Sequence, residues 1–173
     1  MAPSLRWAFS PLNPDALSHS VRSAVAAVVS WYVARLFKLP EAYWATITTI
    51  VVMQSTLGAA LTVSFRRFAG TAVGAVVGGL IGVQYQRNIP VYGTAVLAMG
   101  LFCALVRLDR SAYRFAGITL AIIMLIPADR PAWLVAGHRF FEVSVGIAVG
   151  LILTALWPEK PVTESGAATP AKP

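Results

Sequence analysis

Between Arg66 and Gly82 the chain reads RRFAGTAVGAVVGGLIG, with a glycine at every fourth position: Gly70, Gly74, Gly78 and Gly82. A helix built through this stretch carries a bare groove along one face. In water it would be a poor helix, because each glycine costs about 1 kcal/mol against alanine. In lipid the same spacing lets two helix backbones approach closely. The segment predicts a membrane helix, and these four glycines, together with Gly146 and Gly150, are assigned to helix packing.

Composition agrees with that reading. The 173 residues are 57% hydrophobic and 12% charged, and the mean hydropathy is +0.70, far from an ordinary soluble domain. A net charge of +7 would suggest nucleic acid in a polar chain. Here the arginines fall between apolar runs and form no basic face with interleaved aromatics, so they read as orientation signals in a bilayer and nucleic acid is not an expected partner. Cys103 stands alone inside an apolar run, which leaves no intrachain disulfide and no cysteine metal site. No metal or cofactor is expected. The opening MAPSLRWAFSPLNPD breaks the apolar core that a signal peptide needs, so the first hydrophobic helix is expected to be an uncleaved anchor.

Six apolar runs, each near the roughly 20 residues that span a hydrocarbon core, fall at 17–37, 43–63, 67–85, 90–106, 111–126 and 131–157. Pro14, Pro40, Pro90 and Pro131 stand where helices would begin, and Pro127 and Pro158 where they would stop. Asn13 or Asp129 is placed to cap a following turn. The expected organisation is an N-terminal segment 1–16, a six-helix transmembrane domain 17–158, and a disordered tail 159–173 rich in proline and small polar residues. Counting basic residues on the two sides of this six-span arrangement favours both termini in the cytoplasm.

The glycine stretch has a second copy. Arg67, Phe68, Val73, Gly74, Val77 and Gly78 recur at one offset as Arg139, Phe140, Val145, Gly146, Val149 and Gly150. Ile47, Thr48 and Met53 recur one residue closer as Ile118, Thr119 and Met124. The fold class expected is an all-α membrane protein in which six transmembrane helices form two three-helix repeats. Three crossings per unit make the second copy enter from the opposite side, so the repeats are inverted, as in transporter folds. Arg67 would then lie at the inner end of the third helix and Arg139 toward the outer end of the sixth, two cations facing one passage from opposite mouths.

The run Tyr43, Trp44, Ala45, Thr48, Val51, Val52, Gln54, Gly58 and Ala59, followed by Arg67, Gly70, Thr71, Gly74 and Gly78, resembles the membrane domain of the fusaric-acid-resistance-like proteins. That group includes bacterial aromatic acid exporters and is similar to the plant aluminium-activated malate transporters. The resemblance covers the six-span region. It implies a bacterial inner-membrane protein that moves small organic anions, often aromatic carboxylates, out of the cell. Many such relatives carry a further domain or a second membrane half, so this chain is expected to pair as a homodimer in the lipid bilayer. The alternative is a non-transporting subunit that docks a larger partner.

Two sets of polar residues are candidates for a pathway. Thr46, Thr49, Met53 and Thr56 share one face of a continuous second helix, with Gln54 beside it; they line a pathway or make interhelical hydrogen bonds. His138, Arg139 and Glu142 can meet on one helical face. Arg139 would attract a carboxylate there, and Glu142 with His138 would carry a coupling proton, or the three form a surface ion pair. Paired catalytic carboxylates, a nucleophile with its base and a phosphate-cradling loop are all missing from the sequence, so no enzyme is expected.

Overall fold

Long apolar stretches separated by prolines and polar turns leave the backbone one way to satisfy its own hydrogen bonds, the helix. The computed structural model describes residues 14–54, 56–107 and 109–157. Among them every regular element is a helix: α1 Pro14–Leu36, α2 Tyr43–Val52, α3 Leu57–Tyr85, α4 Ile89–Leu105, α5 Arg110–Leu125 and α6 Ala132–Leu156. Asn13, Pro158 and most of the two terminal segments lie outside the described residues.

The expected second and third spans are divided elsewhere than the apolar runs suggest. Helix α2 stops after ten residues, rising only about 15 Å, half of a hydrocarbon core. Met53 and Thr56 are extended, and the Thr56 hydroxyl accepts the Ala59 N–H as the N-cap of α3. Helix α3 then continues through Arg66 and Arg67, both good helix formers, so Arg67 is the eleventh residue of a 29-residue helix and not the first of a new span. Among the described residues α3 and α6 are the helices both long and apolar enough to cross a membrane. Helices α4 and α5 begin under side-chain caps from Asn88 and Asp109; α6 starts behind Pro131, and Asp129 does not cap it.

Helices α3 and α6 form the antiparallel centre. A Cβ on Gly82 would stand 2.8 Å from that of Ala132, and one on Gly79 3.4 Å from that of Ala136. The α4–α5 hairpin packs on α3, with α5 parallel to it. A Cβ at Gly70 would meet the Ala112 carbonyl and one at Gly78 would come within 2.9 Å of the Ile123 side chain. The α1–α2 hairpin packs on α6 in the same manner: a Cβ on Gly146 would meet Ala45 and Thr48, and one on Gly150 would come within 3.2 Å of Val52. Cys103 is buried in the α4–α5 core with Met99, Leu120 and Met124.

Beside an apolar core, the bundle exposes large apolar side chains and buries charged ones, unlike an ordinary soluble globule. Leu36, Phe65, Leu80, Leu105, Phe141 and Leu156 point outward, while Arg22, Thr48, Arg67, Thr71, Arg139 and Glu142 are buried.

Candidate functional site

Two guanidiniums are held inside the bundle by one face of α2. Trp44 and Thr48 are one turn apart on that helix, about 6 Å along its axis. The guanidinium of Arg139 lies over the Trp44 ring at 3.8 Å from its centroid. Arg67 donates from Nε and Nη2 to Thr48 Oγ1, at 3.1 and 2.9 Å, and its guanidinium carbon sits 4.9 Å from the centroid of Phe115 on α5. The two arginines thus sit one turn of α2 apart, near enough for Arg67 to feel the charge of Arg139.

Their charges are balanced differently. Arg139, 3% exposed, donates from Nη2 to Glu41 Oε2 at 2.6 Å and from Nη1 to Glu142 Oε2 at 3.3 Å. Glu142 is itself 1% exposed and its Oε1 accepts the Glu41 backbone N–H at 3.0 Å. Arg67 is 7% exposed, and among the described residues no carboxylate is within ion-pair reach of it.

A cavity of about 320 Å³ opens beside Arg139, between the α1–α2 loop and the start of α6. Glu41, Asp129, Arg130, His138, Arg139 and Glu142 stand in its wall. Of the expected trio, Arg139 and Glu142 meet, while the His138 ring nitrogen turns to Arg130 Nη1 at 3.4 Å.

The expected threonine face is not continuous, because α2 ends before Met53. Thr49 Oγ1 donates to the carbonyls of Ala45 and Gly146, at 3.0 and 2.9 Å, within the α2–α6 contact. Thr46 is half-buried and donates to Ala27 O on α1 at 3.4 Å. Thr56 is spent as the α3 cap. Gln54 lies in the break, where its carbonyl accepts Arg22 Nη2 at 2.7 Å. Thr48, outside the expected face, holds Arg67. Glu41 and Phe115 are site residues absent from the sequence-based candidates, and Thr48 and Trp44 figure there only in the repeat and the family-like run. Phe115 is the counterpart of Trp44 at the offset that relates Thr48 to Thr119, so the repeat itself carried that signal.

The two halves repeat these contacts. Arg139 over Trp44 corresponds to Arg67 over Phe115. Gly146 against Ala45 and Thr48 corresponds to Gly74 against Ala116 and Thr119, and Gly150 on Val52 to Gly78 on Ile123. The equivalent rings Phe68 and Phe140 touch each other, with centroids 5.0 Å apart.

A helical bundle with large apolar side chains outside and guanidiniums buried inside has the pattern of an integral membrane protein. The chain belongs to the fusaric acid resistance protein-like family, whose model matches residues 28–153. It is 29% identical over 150 residues to the inner membrane protein YeeA of Escherichia coli K12, covering 82% of this chain and 41% of YeeA. It is equally identical to the uncharacterized transporter YdhK of the same strain, covering 81% of this chain and 22% of YdhK. Against the uncharacterized transporter GOX0755 of Gluconobacter oxydans it is 25% identical over 167 residues, 87% of this chain and 22% of that one. The chain thus spans less than half the length of these relatives. No solved structure matches it significantly.

Proposed function

We propose that this bundle moves small organic carboxylate anions across the bacterial inner membrane, with Arg67 as the buried group that meets the anion. One observation carries the reading: the Arg67 guanidinium is buried on a hydroxyl and an aromatic face with no carboxylate in reach among the described residues. A buried ion without its counter-charge costs several kcal/mol, and inside membranes such residues mark ion and substrate paths. An arriving anion supplies the missing charge. A carboxylate entering the cavity meets Arg139 first and Arg67 one turn of α2 further on. The flanking rings of Trp44 and Phe115 suit an aromatic carboxylate. The transporter names of two relatives and the family match support transport over enzymatic chemistry.

The architecture in this reading is a pair of inverted three-helix repeats, α1–α3 and α4–α6. The repeated arginine and glycine contacts, the antiparallel packing of α3 on α6 and the Phe68–Phe140 contact support it. The termini face the cytoplasm. With the buried Arg22, Arg67 and Arg139 set aside, Arg6, Arg66, Arg107, Arg110, Arg114, Lys160 and Lys172 fall on the inner side, against Arg35, Lys38, Arg87 and Arg130 on the outer. Export is the direction, and a homodimer the working form. The second reading, a docking subunit, draws on the length of the relatives, in which the matching bundle works beside further chain.

Labelled benzoate flux into vesicles containing only the purified chain tests this. The parent moves benzoate faster than protein-free vesicles do, and Arg67→Ala loses the flux. A parent with no flux, or an Arg67→Ala variant equal to it, contradicts the reading.

A further inference from the structure

The carboxylate that meets Arg139 is the chain's own. Glu41 stands in the α1–α2 loop, 98 positions from Arg139, and its side chain is 41% exposed although its oxygen reaches a buried guanidinium. Three donors converge on that single atom: Arg139 Nη2 at 2.6 Å, Tyr43 Oη at 2.9 Å and Trp44 Nε1 at 3.1 Å all point at Glu41 Oε2. Three donors around one oxygen form a receptor for an anionic oxygen. The receptor is also filled incompletely. Nε of Arg139 is buried without an acceptor, whereas the Nε and Nη2 of Arg67 are both used. An untethered carboxylate can take Nη2 with one oxygen and Nε with the other, the two-pronged geometry arginine favours.

The geometry points to Glu41 as a tethered occupant of a carboxylate-binding site, which an incoming organic carboxylate displaces into the cavity. This rests on the anion-transport reading above and names the group with which the substrate competes. The exchange suits the electrostatics. Glu142 stays paired with Arg139, so replacing the Glu41 carboxylate by another leaves the buried charge unchanged. Glu41, already part solvated, loses little on swinging outward. It belongs to a six-residue connection, 37–42, whose Lys38 holds a left-handed φ of 55°, and its backbone N–H is anchored to Glu142, so the side chain can leave while the loop stays. A site occupied by its own ligand for nine-tenths of the time shows about a tenfold weaker apparent affinity for a competitor.

The test is chemical rescue in the purified full chain. Glu41→Ala leaves a space matching acetate and lowers the unfolding midpoint; millimolar acetate restores it by several degrees, chloride does not, and neither ion shifts the parent. In vesicles, Glu41→Gln, which keeps the shape and cannot pair as an anion, half-saturates with benzoate at about one-tenth of the parent's concentration. Acetate that stabilises Glu41→Ala no more than the parent, or a Glu41→Gln half-saturation equal to the parent's, overturns the proposal while transport stands. Acetate rescue in a chain that moves no carboxylate would leave the tethered occupant and remove the transport reading.

Discussion

Arg67 rests on Thr48: both its Nε and Nη2 donate to the threonine hydroxyl, and no carboxylate shares the load among the described residues. Thr48→Val keeps the contact of this side chain with Gly146 but leaves a buried cation with unused donors, a cost of about 1–3 kcal/mol. Thr48→Ser keeps the oxygen and stays near the parent. Arg67→Met removes the charge itself and is neutral or stabilising, because an unpaired buried ion is worth less than a packed apolar side chain. Unfolding midpoints of the three variants give this order; a Thr48→Val protein as stable as the parent contradicts it.

Gly146 approaches α2 so closely that a methyl group there would run into the Ala45 carbonyl and the Thr48 side chain. Gly146→Ala is expected to cost about 1–3 kcal/mol, as overpacking does. Gly117, on α5, has nothing within 4 Å of an added Cβ, so Gly117→Ala gains about 0.5–1 kcal/mol from helix propensity. Opposite signs of the two midpoint shifts check the prediction.

Arg22, 1% exposed, donates from Nη1 to Trp157 O and from Nη2 to Gln54 O, both at 2.7 Å. It ties α1 to the ends of α6 and α2, where unpaired carbonyls and the helix dipole favour a cation. Arg22→Met removes two charge-assisted bonds, each worth about 1.5–3 kcal/mol. The backbone amides of 53, 54 and 154–157 are expected to exchange faster in the variant, with α3 and α5 unchanged. Uniform exchange across the chain would mean that Arg22 is not a local tie.

Asp109 caps α5 outside the membrane-spanning segments. The Ser111 N–H bond, at 2.9 Å, holds its carboxyl below the ordinary aspartate range, opposed by desolvation and helped by the Arg66 guanidinium at 2.7 Å. A depressed carboxyl contributes stability that is present above its unfolded pKa, near 4, and is lost as pH falls through the folded value. Asp109→Asn keeps an N-cap residue and loses this acid dependence. Below about pH 4 the parent's midpoint should therefore fall toward the variant's.

The six helices were legible because each apolar run is bounded by proline or polar residues. The correspondence of Arg67 with Arg139 was legible because the glycine motif recurs with its arginine; their meeting on one face of α2 was not. The break after Val52 was not. Gln54 and Thr56 interrupt a 21-residue apolar run only briefly, yet α2 ends at Met53, whose ψ is 116°, and α3 starts anew under the Thr56 hydroxyl, which accepts the Ala59 N–H. Moving that boundary carried Arg67 from a helix end into the bundle and removed the shared face of Thr46, Thr49, Met53 and Thr56. Glu41 was hidden for another reason: its partner lies 98 residues away, and no local period joins a loop to a helix across that distance. His138 was placed by spacing with Glu142, but the same spacing allows it to turn toward Arg130.

The central claim is that the positive charge of Arg67 selects the cargo. In vesicles containing the purified chain, benzoate and its neutral analogue benzamide are offered in parallel to the parent, Arg67→Lys and Arg67→Gln. The account predicts that the parent favours benzoate, that Arg67→Lys retains part of this preference, and that Arg67→Gln loses about 100-fold of benzoate flux, the worth of one charge-assisted contact of roughly 2.7 kcal/mol. Benzoate flux and selectivity in Arg67→Gln equal to the parent's would contradict it.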